Sequence, residues 1–223
     1  MRSSRRFAAR ALTVLATLIG VVHGGARMAR AQSGASATHA AHASSGSARP
    51  VANPADVAFM QGMIGHHAQA LVMTAMVPTR TDTPELQLLA QRIAVSQRDE
   101  IGLMRAWLLR HGATAPDPLG DTAAAAHAGH GDTMPHMDHA HMPGMLSDAQ
   151  LAELRAARGR AFDRLFLEYM IQHHAGALVM VRDLFASDGG GQDTEIFQFA
   201  SDVDADQAME IARMRRLLAT LPN

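Results

Sequence analysis

Residues 63–73, MIGHHAQALVM, return 107 positions later as MIQHHAGALVM at residues 170–180, with changes only at Gly65/Gln172 and Gln69/Gly176. At the same offset Asp56 pairs with Asp163 and Phe59 with Phe166. A second match sets Ile93-x-x-x-Gln97-x-x-Glu100-Ile101-x-x-Met104 against Val203-x-x-x-Gln207-x-x-Glu210-Ile211-x-x-Met214 at an offset of 110. The longer turn of the second copy absorbs the difference. Repetition on this scale makes the chain two copies of one unit. Each unit is a helix carrying His-His, a turn, and a helix carrying Gln-x-x-Glu. The expectation is an all-α four-helix bundle built from two αα-hairpins.

Local signals place the ends. Asn53-Pro54 with Asp56 opens the first helix and Pro78 ends it; Thr83-Pro84-Glu85 opens the second, and His111-Gly112 closes it. Ser147-x-x-Gln150 reads as a capping box. Gly159 interrupts the segment that follows, leaving a short leading helix and a main one from about Arg160 to Ala186. A turn at Asp188-Gly189-Gly190-Gly191 precedes the last helix, Thr194 to Thr220. At 100° per residue His67, His173 and His174 fall on the apolar stripes, with His66 on the flank of its own. Gln97, Glu100, Gln207 and Glu210 sit on the apolar stripes of the partner helices. Polar groups so placed must be paired, hydrogen-bonded or metal-bound.

Two readings of the histidines stand. Neutral imidazole is a good ligand for copper, zinc, iron and nickel, and Met63 and Met170 lie one turn from the pairs. Alternatively the rings are structural, bonded to Gln97, Glu100, Gln207 and Glu210, residues that in the metal-binding case would orient imidazole N–H groups. A di-iron carboxylate centre requires Glu-x-x-His pairs, and the chain contains none. The connector carries His127, His130, Met134, His136, Met137, His139, His141, Met142 and Met145 among Gly, Pro and Asp. No core explains these methionines, and thioethers prefer Cu(I) or Ag(I). His39 and His42 could add weakly. There is no cysteine, which removes thiolate ligands and disulfides, and no nucleophile or phosphate-loop motif is present. The expectation is a non-enzymatic protein.

Residues 1–31 read as a signal peptide: Arg2, Arg5, Arg6 and Arg10, an apolar run, then Ala29-Arg30-Ala31. The run is too short for a confident span, so no stable membrane insertion is expected after cleavage; an uncleaved anchor is the alternative. Without these residues the chain is acidic, which suits cations and disfavours nucleic acid. Residues 32–52 form an Ala/Ser/Gly tether. The bundle then covers 53–221, as hairpin one (53–111), connector (112–146) and hairpin two (147–221).

The doubled Met-Ile-x-His-His-x-x-Ala-x-x-Met, the Phe-Asp-Arg-Leu-Phe-Leu run at 162–167 and the paired Gln-x-x-Glu-Ile-x-x-Met resemble the exported family catalogued as domain of unknown function 305. The resemblance covers about Asn53 to Leu221. It implies a ferritin-like four-helix bundle, and the family includes periplasmic copper-binding proteins of the CopM type. Carried onto this chain, it points to Met63, His66, His67, Met73, Met170, His173, His174 and Met180. The implied role is periplasmic or extracellular binding of Cu(I), Cu(II) or Ag(I) for sequestration, tolerance or hand-over to another copper-handling envelope protein. The competing expectation is a structural or interaction bundle with metal binding confined to the connector. A redox metalloenzyme is a third, weaker one.

Overall fold

The computed structural model describes residues 52–118 and 142–221, which are helical throughout apart from turns. Five helices follow in order: α1 (Pro54–Met76), α2 (Pro84–Arg110), α3 (Asp148–Ala156), α4 (Gly159–Ala186) and α5 (Thr194–Thr220), with a 3₁₀ turn at Val77–Thr79. α1 packs on α2 and α4 on α5, and the two hairpins join along α1 and α4. This is the four-helix bundle that the repeat predicts, with α3 as a short leading piece.

The helix ends follow their capping chemistry. Asn53 Oδ1 accepts from the Ala55 N–H at 2.7 Å, and Pro54 occupies the first turn, where its missing N–H costs nothing. Ser147 and Gln150 form the predicted capping box. Gly159, at φ 54°, lets the chain turn between α3 and α4. Thr83 departs from expectation. It stands at the start of α2, but its hydroxyl caps nothing there; it donates to Asp163 Oδ2 of α4 at 2.6 Å.

That bond has a counterpart. Asp56 of α1 accepts from the Gly191 N–H at 2.7 Å, in the turn of the second hairpin. The two repeat-related aspartates therefore each hold the turn of the opposite hairpin, and both are buried. A buried carboxylate bond of this kind contributes about 1.5–3 kcal/mol. Asp56→Ala should lower unfolding stability in urea by about that amount, whereas Asp56→Asn, which keeps an acceptor oxygen, should recover most of it. Equal losses in the two variants would show that charge, and not the bond to Gly191, is what matters.

The apolar interior is split in two. One cluster includes Met73, Leu89, Ile93, Phe162, Phe166, Met170 and Met214. The other includes Phe59, Met63, Ile101, Met104, Trp107, Val181 and Val203. Between the clusters every long helix carries polar residues: His66 and His67, Gln97, His173 and His174, Gln207. All six are buried. The bundle is thus two hydrophobic cores with a polar belt between them. Among the described residues no helix is long and apolar enough to cross a membrane.

Candidate metal centre

The belt is organised by the repeat. The second histidine of each pair bonds within its own hairpin: His67 Nε2 to Glu100 Oε2 at 2.5 Å, and His174 Nε2 to Glu210 Oε2 at 2.7 Å. The first histidine of each pair lies at the seam between hairpins, where the His66 and His173 rings meet with centroids 3.8 Å apart and planes 36° apart. His173 Nε2 donates to the main-chain oxygen of His66 at 3.0 Å. His66 Nε2 donates to the Pro143 carbonyl at 3.1 Å.

These partners fix the ring chemistry. Carbonyl and carboxylate oxygens accept only, so each Nε2 carries a proton and each neutral ring keeps its lone pair on Nδ1. All four Nδ1 atoms are buried and have no hydrogen-bond partner. Four fully enclosed acceptor nitrogens left unpaired are costly in an interior, and a Lewis-acidic cation is the kind of group that satisfies them. Burial, then the neighbouring His67, pulls His66 down to about 3, and the Pro143 carbonyl only partly opposes this. Burial, then His66, holds His173 well below its usual value. These two rings are therefore neutral near pH 7, the form that ligates metal.

Burial would raise the Glu100 carboxyl, but the hydrogen bond and charge of His67, with the Ser96 hydroxyl, together hold it below the usual value. Such a carboxylate fixes its imidazole's orientation and tautomer. Gln97 Oε1 and both polar atoms of the Gln207 amide have no hydrogen-bond partner, so these two glutamines do not orient the rings as Glu100 and Glu210 do. Among the described residues no three His, Asp or Glu side chains converge as one ligand group.

The methionines separate by environment. Met63, Met73 and Met170 are packed inside the apolar clusters. Met180, Met142 and Met145 are half-buried. Of the connector candidates, His127, His130, Met134, His136, Met137, His139 and His141 lie outside the described residues, as do His39 and His42. Two surface clefts, of about 500 and 300 Å³, are lined by residues near the Ser187–Asp193 turn and by none of the four histidines.

Residues 142–146, the end of the connector, cross the bundle beside His66, which sequence reasoning did not foresee. Gln69 grips Leu146 through both its amide atoms, donating to the carbonyl at 3.0 Å and accepting from the N–H at 2.7 Å. The signal was present, because Gln69/Gly176 is one of the two mismatches in the repeat.

A family model described as "Domain of unknown function (DUF305)" matches residues 56–218. The chain belongs to the DUF305 family. Among solved structures it is similar to a DUF305 fragment from Deinococcus radiodurans, at 31% identity and TM-score 0.62 over 77% of this chain and 100% of that one. A DUF305 protein from Streptomyces coelicolor described as secreted matches at 29% identity and TM-score 0.58, over 74% and 91% of the two chains. CopM in its Cu(I)-bound form matches at 24% identity and TM-score 0.55, over 75% and 98%; at that identity the likeness establishes the shared fold. A curated relative, an uncharacterised protein of Acanthamoeba polyphaga mimivirus, is 38% identical over 53 residues, which span 24% of this chain and 35% of that protein.

Proposed function

We propose that this DUF305 protein is an exported, non-catalytic copper-binding protein that sequesters Cu(I) or hands it on to another copper-handling protein of the envelope. Cu(II) and Ag(I) are further cargo. The observation that carries this reading is the set of four buried, unpartnered Nδ1 lone pairs, each made available by a hydrogen bond on the opposite ring nitrogen. His66 and His173, across the seam, are the first choice of ligands; His67 and His174, oriented by Glu100 and Glu210, are the next. Pairs of imidazoles suit an ion content with few ligands, and closed-shell Cu(I) is one. The likeness to CopM, whose solved forms carry Cu(I), Cu(II) and Ag, supports the choice of metal. The likeness to the Streptomyces coelicolor protein, whose description reads "putative secreted protein", supports export.

A second reading keeps metal binding in the His/Met connector alone, with the belt as a register-setting polar layer. The lack of a three-residue ligand group among the described residues favours it. Equilibrium dialysis against Cu(I) and Cu(II) separates the two. A chain lacking residues 127–141 should retain bound copper, and adding His66→Leu and His173→Leu should remove one equivalent from what remains. Complete loss of copper on deleting the connector would leave only the second reading.

A further inference from the structure

The two positions at which the repeat fails are Gly65/Gln172 and Gln69/Gly176. Three of these four residues touch the same five-residue segment. Gln69 holds both main-chain polar groups of Leu146. The Gln172 amide reaches the carbonyls of Gly144 and Met145 at 3.4 and 3.5 Å. Gly176 is where the segment lies against α4: a Cβ there would stand 2.0 Å from the Pro143 oxygen and 2.6 Å from Gly144 Cα. Gly144, at φ 77°, is equally constrained, since its Cβ would come within 2.7 Å of the Gln172 oxygen. Real side chains cannot occupy either place without displacing backbone. The departures from symmetry thus coincide with a seat for residues 142–146 on one face of the bundle.

Seating the segment brings two methionine side chains to one glycine. A Cβ on Gly62 would lie 3.6 Å from Met142 Sδ and 3.4 Å from Met180 Cε. Met142 comes from the connector and Met180 from α4, and the Met142 sulfur and the Met180 methyl group both approach the bare backbone of α1 at Gly62. Both are half-buried, unlike Met63, Met73 and Met170, which are sealed in the cores. At the repeat-related place Gly62 is replaced by Tyr169 and Met180 by the core residue Met73. The arrangement therefore exists once.

We propose that residues 142–146 form a docked strap that completes, from Met142 and Met180 across Gly62, a thioether site for a soft monovalent cation of the Cu(I) or Ag(I) class. Thioether sulfur is polarisable, neutral and a weak hydrogen-bond acceptor, so it discriminates for soft ions against Zn(II), Mg(II) and Ca(II). Two sulfurs suffice for closed-shell cations that accept low coordination numbers. Because one ligand arrives with the strap, a bound ion ties the connector to the bundle, and undocking the strap dismantles the site. The site takes none of the four histidines as a ligand, although the same strap supplies the Pro143 carbonyl that accepts from His66 Nε2.

The test uses the full chain labelled with methyl-13C methionine and titrated with Ag(I), its methyl signals assigned by single Met→Leu variants. The Met142 and Met180 methyl signals should move together, and Met142→Leu should abolish the movement of Met180. Gly176→Gln, which installs the residue of the first repeat, should eject the strap. The Leu146 amide should then exchange about tenfold faster or more, as for loss of a buried hydrogen bond, and the coupled shift should vanish while the circular dichroism of the helices is retained. Should Gly176→Gln unfold the bundle, Met142→Leu, a near-isosteric change at a half-buried position, decides alone. A Met180 signal that still moves with Ag(I) in Met142→Leu overturns the proposal. So does Ag(I) uptake that leaves both methyl signals in place, an outcome that leaves the histidine reading untouched.

Discussion

Acidifying the metal-free protein from pH 7 to pH 5 should cost about 2 kcal/mol of stability through His66 alone, with His173 adding in the same direction. In the unfolded chain these rings titrate near 6.5, whereas in the bundle His66 is held at about 3 and His173 well below its usual value. Both folded-state values are depressed. Between the two limits the unfolded chain binds protons that the folded one refuses. Stability is therefore fully present above about 6.5 and drains as pH falls toward 3. Below 4.5, Glu100 adds a further loss, since its folded carboxyl is also held below its ordinary value. For a bundle of this size about 2 kcal/mol corresponds to a fall of about 4–8 °C in the melting midpoint. Calorimetry across this range should show the slope, and the His66→Leu, His173→Leu double variant should flatten most of it. An unchanged slope in that variant would place the acid-sensitive groups elsewhere. Copper loaded at the rings should oppose the acid effect, because protons and metal compete for Nδ1.

Removing the carboxylates behind the rings is the other large effect. Glu100→Ala or Glu210→Ala leaves a fully buried imidazole N–H without its acceptor. A charged hydrogen bond contributes about 1.5–3 kcal/mol. The two glutamates keep 15% and 22% of their side-chain surface in solvent, so screening lowers the expected loss to about 1–2 kcal/mol each. Asp206 reduces it further. Burial raises its carboxyl, and so do the neighbouring charges of Glu100, Glu210 and Asp202, so deleting a glutamate relieves some repulsion. Copper affinity should suffer more than stability, by about 10–100-fold, because ligand orientation is lost. Urea unfolding and competition titration with a chromophoric Cu(I) chelator measure the two quantities. Glu100→Gln, which preserves an acceptor, should fall between wild type and alanine in both. Unchanged affinity in the alanine variants would remove His67 and His174 from the metal site.

Much of the architecture is legible in the chain before any coordinates. Helix ends are local matters, decided by Asn53-Pro54, by the Ser147/Gln150 box and by Gly159, and the structure places them within a residue or two of the predicted positions. The inward course of the four histidines follows from helical periodicity, and all four are buried. Thr83 shows where local reading stops. Its place before Pro84 predicts a cap, yet its hydroxyl serves Asp163, a residue 80 positions away that only the assembled bundle brings near. The histidines divide in the same way. Nothing in the doublet distinguishes His66 from His67, but a rotation of 100° along one helix sends the first to the seam and the second to Glu100.

The repeat by itself determined the number of long helices, their pairing into hairpins and the presence of a polar belt, because period and capping act within a few residues of sequence. Tertiary structure alone decided which ring nitrogen is free, which glutamate serves which histidine, and that Met142 and Met180 both reach Gly62. Those outcomes depend on the approach of segments that are distant in the chain. A sequence specifies the faces that must be buried, but the partner atom at each hydrogen-bond distance exists only once the faces have met.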